Sequence, residues 1–306
     1  MKNLFLSAIL LWMVGSVWAQ GVSYTDKLVI ANGGVFGDTT LNVVLQNLDL
    51  FNLNSDYADT INTGSIQDVI VKGEYAYLAA QDSVYKINLD NMKIEARANF
   101  PASSTYQLLH ADSLLYVGNW FGASPSYLYA YYTDDLDLAF SVPEVTQRVS
   151  HMSLFKDTLL VAQNLSSSSF TDSAGYITLL DATDGTFLSN FQLDTLKDLG
   201  WIFTFDENFF TVNPGDDSYG FINALGNYQT FPFGKDLQGG YGSIIQFLED
   251  HLLLLGIFDD KLGIYDLEGD SFLVEEFVDT VDAFVYDTLE SKLYVTATDF
   301  GNYKFG

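Results

Sequence analysis

The chain has 306 residues, with 40 acidic against 13 basic side chains, a formal charge of -27, no cysteine and 3 histidines. Without cysteine there is no disulfide framework, thiolate metal site or cysteine nucleophile, and with only His110, His151 and His251 a multi-histidine metal centre is hard to assemble. The negative charge repels phosphate, which argues against nucleic acid and anionic membrane surfaces as partners.

The first predicted element is a leader. Lys2 precedes an apolar run from Leu4 to Val14, followed by Gly15 and a small-residue site at Val17, Trp18 and Ala19. This pattern predicts a secretory signal peptide over residues 1–19, cleaved before Gln20. The run is shorter than the ~20 apolar residues a membrane-spanning helix needs. The remaining 306 − 19 = 287 residues form one predicted domain, 20–306, with a charge of 12 − 40 = -28 once Lys2 is gone. The expected product is secreted or periplasmic, able to associate with a cell surface, and not inserted in a membrane.

From there a repeat organises the chain. A short apolar run introduced by a polar turn recurs seven times: DKLVIA at Asp26–Ala31, EYAYLA at Glu74–Ala79, DSLLYV at Asp112–Val117, DTLLVA at Asp157–Ala162, ENFFTV at Glu207–Val212, DHLLLL at Asp250–Leu255 and SKLYVT at Ser291–Thr296. The second apolar residue of each run marks the repeat at Val29, Ala76, Leu115, Leu160, Phe210, Leu253 and Tyr294, with intervals of 47, 39, 45, 50, 43 and 41. A four-stranded propeller blade occupies ~40–50 residues, which matches this period. Each unit also has a strand before the marker, a third strand ending in an Asp/Gly turn and a weaker fourth strand. Examples of the last are Lys93–Phe100, Thr186–Leu193 and Ser271–Val278. β-branched and aromatic residues fill the runs while Asp, Asn and Gly punctuate them. The expected fold is therefore all-β, a seven-bladed β-propeller of four-stranded antiparallel blades. Three closures fit the sequence: an N-terminal strand completing the seventh blade, a three-stranded last blade, or a chain that is C-terminally incomplete.

The segment LYVTATD at Leu293–Asp299 resembles the signature of YVTN-type bacterial propellers, and Gln67–Ile94 is similar to the repeat of exported seven-bladed members of that superfamily. The resemblance implies the fold and export. It carries no catalytic motif and no cofactor.

In such an architecture the loops between second and third strands, together with those entering each blade, gather on one rim. The ligand-binding residues expected there are Trp120, Trp201, Tyr106, His151, Tyr241, Asn119, Asn213, Asp216, Asp217, Asp259 and Asp299. Aromatics and carboxylates in this combination suit a sugar or peptide held by stacking and hydrogen bonds. Turn preference alone also places Asp and Asn at such positions. The acidic clusters Asp134-Asp135-Leu136-Asp137 and Asp216-Asp217 lack the glycine and terminal glutamate of a calcium loop, so no metal site is expected. No recognisable Ser-Asp arrangement accompanies His151, and no carboxylate pair can be nominated for glycoside hydrolysis. The expected function is non-enzymatic binding of an extracellular protein, peptide or glycan at the rim; the competing reading is a carbohydrate-active hydrolase or lyase using Asp and Glu.

Overall fold

The structure is a computed structural model that describes residues 27–32, 42–49, 54–58, 61–63, 66–100, 104–121, 126–164, 175–193, 199–205, 208–213, 217–222, 227–235, 245–249, 251–257, 261–277, 281–287 and 292–297. Every regular element among them is a β-strand. The predicted leader, residues 1–19, lies outside the described residues.

The strands form antiparallel sheets, one per sequence unit, and sheets two to six are four-stranded meanders. Sheet one holds β1 (Lys27–Asn32), β2 (Asn42–Asp49), β3 (Ser55–Tyr57) and β4 (Ile61–Asn62), the last also pairing with β2. Sheet two is β5 (Asp68–Lys72), β6 (Tyr75–Ala80), β7 (Ser83–Asn88) and β8 (Lys93–Asn99). Sheet three is β9 (Ser104–Ala111), β10 (Leu114–Phe121), β11 (Leu128–Tyr132) and β12 (Leu138–Ser141). Sheet four is β13 (Arg148–Phe155), β14 (Thr158–Asn164), β15 (Gly175–Asp181) and β16 (Phe187–Leu193). Sheet five is β17 (Trp201–Phe205), β18 (Asn208–Asn213), β19 (Ser218–Ile222) and β20 (Tyr228–Pro232). Sheet six is β21 (Ile245–Glu249), β22 (Leu252–Ile257), β23 (Lys261–Asp266) and β24 (Ser271–Phe277), and β25 (Val281–Asp287) pairs with β26 (Lys292–Ala297) in the seventh.

Of the seven apolar runs read from the sequence, the first is β1, the last is β26 and the other five are the second strands of sheets two to six, whose packing explains why they are mostly apolar. Successive side chains on a strand point to opposite faces. On β10, Tyr116 packs into a cluster with Val149, Met152 and Val161 of sheet four, whereas Leu115 and Val117 pack with Tyr77, Ala79 and Val84 of sheet two. β14 repeats the division: Leu159 and Val161 face sheet three, and Leu160 and Ala162 face sheet five. On β22, Leu253 and Leu255 meet sheet five while Leu254 packs with Phe284 of the seventh sheet. A strand covered on both faces is apolar at most positions, and the polar side chains it does carry, such as Thr211 on β18, are buried with it. Glycine enters where a side chain of the next sheet lies against the strand: a Cβ on Gly118 would lie 2.6 Å from Cγ1 of Val149.

First strands of neighbouring sheets lie together, β5 against β9, β9 against β13, β13 against β17 and β21 against β25. Three of these junctions repeat one polar device, in which a side chain of one first strand accepts a backbone N–H from the next first strand. Asp68 accepts from Leu108 at 2.8 Å, His151 from Ile202 at 3.3 Å and Gln246 from Tyr286 at 2.9 Å. The turns between third and fourth strands receive a second set of links. Tyr77 donates to the Thr133 carbonyl and Tyr116 to the Ala182 carbonyl, each at 3.1 Å, and Tyr219 donates to Asp270 at 2.8 Å. Those turns are rich in Asp and Asn because the side chain caps the backbone two residues on: Asn88 accepts from Asp90, Asp135 from Asp137, Asp181 from Thr183 and Asp266 from Glu268.

Candidate functional site

The ends of second strands and the starts of first strands share one edge of the sheets. Thr105 pairs with Asn119, Arg148 with Asn164 and Trp201 with Val212, while Thr105 also donates its backbone N–H to the Gln81 carbonyl of sheet two at 2.7 Å. This is the edge on which the sequence places the binding rim.

Two of the expected residues meet there. The rings of Tyr106 and Trp120 lie 4.6 Å apart at 36°, both half-buried. The guanidinium of Arg148, the first residue of β13, sits 5.1 Å from the Trp120 ring. Local backbone geometry positions this stack. Pairing of β9 with β10 shifts register on both sides of Asn119, so the strand bends at its end. Tyr116 and Gly118 face sheet four, and Trp120, next in that alternation, reaches Arg148. A cation held flat on an indole ring contributes roughly 0.5–1 kcal/mol at an exposed site and more when desolvated.

The asparagines are buried rather than presented. Asn119 has no exposed surface, and neither of its side-chain polar atoms has a hydrogen-bond partner. Asn213, also fully buried, donates to the Tyr228 hydroxyl at 3.1 Å, in space that Gly220 leaves for the tyrosine ring. Asn164 closes the entry to sheet five: it donates to the Leu199 carbonyl at 2.9 Å and accepts from the Leu199 N–H at 3.0 Å. Asp217 is half-buried in a left-handed turn conformation with φ of 49°, and its carbonyl accepts from Phe233 at 2.9 Å.

Trp201 and His151 belong to the seams. Trp201 packs against the cluster of Phe210, Val212 and Leu253 between sheets five and six. His151 accepts from Ile202, and its ring lies 5.0 Å from that of Phe203. Burial pushes it down to about 4, so it is a neutral acceptor at ordinary pH. Asp68 has the complementary character: burial raises its carboxyl to about 6, although the N–H groups of Leu108 and Val69 pull the other way. Both side chains keep a partly exposed surface. Tyr241, Asp216, Asp259 and Asp299 lie outside the described residues.

Arg148 and Asp68 were not among the sequence candidates. Arg148 had a readable signal, since the chain contains only two arginines, Arg97 and Arg148, and this one stands three residues before His151. Asp68 had none, because nothing local separates an aspartate that begins a first strand from the many in turns. Among the described residues, no group of three His, Asp or Glu side chains converges as a metal site would require.

No protein-family model matches the chain, and no curated protein matches it. Among solved structures it is similar to the crystal structure of the computationally designed Ika8 protein, with a TM-score of 0.57 and 12% identity, covering 85% of this chain and 81% of that one. At that identity the likeness bears on the fold alone.

Proposed function

We propose that the sheets close as a seven-bladed β-propeller and that this exported protein binds an extracellular protein, peptide or glycan at the edge bearing Tyr106, Trp120 and Arg148. One observation carries the binding reading: two half-buried aromatic rings and one of the chain's two arginines converge from three strands of two different sheets. Turn chemistry accounts for aspartate at a loop but supplies no reason for this stack. Aromatic and arginine side chains are also the types that dominate binding hot spots. The leader-like residues 1–19 support export.

The test is a peptide and glycan array probed with residues 20–306, followed by titration of each hit against Trp120→Ala and Arg148→Ala. Affinity is expected to fall at least tenfold in both variants, with unfolding still cooperative. Full affinity in both would overturn the site. The enzymatic reading draws on Asp68, the one carboxyl among the described residues raised to about 6. It comes second because that carboxylate already accepts two backbone N–H groups. Turnover in a polysaccharide screen, abolished by Asp68→Asn, would reverse the order.

A further inference from the structure

We draw no further inference here: the strongest candidate, the side-chain amide of Asn119 at the end of β10, has neither polar atom partnered but no exposed surface through which a ligand group reaches it, and it otherwise belongs to the site already described.

Discussion

Nδ1 of His151 on β13 accepts the backbone N–H of Ile202 on β17. An acceptor nitrogen carries no proton, so the fold holds this ring neutral while the unfolded chain protonates it at about 6.5. Stability from His151 is therefore lost as pH falls from about 6.5 toward about 4. Asp68 has the opposite sign. Its folded carboxyl takes up a proton near pH 6 against 3.8 when unfolded, so stability is lost as pH rises through that interval.

The two windows overlap, and the slopes offset one another in the native protein. Replacing either residue alone uncovers the other. Relative to wild type, His151→Gln is expected to gain stability as pH falls across the window and Asp68→Asn to lose it, each by on the order of 3 kcal/mol at the limits. Urea unfolding at a series of pH values reads this directly. Parallel curves for the three proteins would refute the assignment.

Tyr116→Phe removes a hydroxyl that donates to the Ala182 carbonyl of the next sheet and leaves that acceptor in a buried place. A loss of about 1 kcal/mol is expected in chemical denaturation. Tyr132→Phe, at a half-exposed ring, serves as the control and is expected to change little.

The repeat was readable because each second strand must satisfy two neighbours and so is apolar at most positions. Its register was not. Left-handed turn residues place Gly73, Asp112 and Lys156 at equivalent positions, so the turn carries glycine, aspartate or lysine by unit. Aligning Asp112 with Asp157 slips the fourth unit by one residue: Leu115 faces the preceding sheet, whereas Leu160 faces the following one. The rim is similar. The sequence expects Tyr106 and Trp120 there separately, but their contact depends on a bend at Asn119, and Arg148 arrives from another sheet. No local pattern records either fact.

Gly118→Ala places a methyl group against the side chain of Val149 on β13. Overpacking of this kind costs roughly 1–3 kcal/mol. The double variant Gly118→Ala, Val149→Ala is expected to recover part of the loss in thermal unfolding. An additive double variant would show that the contact is not the cause.

Arg148→Lys keeps the charge but replaces the planar guanidinium lying near Trp120. In residues 20–306 carrying Trp201→Phe, Trp120 is the only tryptophan left, because the others are Trp12 and Trp18. Its emission is expected to shift in the lysine variant while unfolding changes by under about 1 kcal/mol. An unchanged spectrum would mean that the arginine does not rest on the ring.

The two-faced second strands make register a form of addressing. Along β10, odd positions are delivered to one neighbour and even positions to the other, so deleting a single residue would send the Tyr116 hydroxyl away from its carbonyl and set apolar groups from adjoining seams against the wrong partners. Added length in a connecting loop rewrites no address. Variation in such a chain is thereby channelled: substitutions leave parity intact and act on one seam at a time, whereas an insertion or deletion within a second strand disturbs two seams at once.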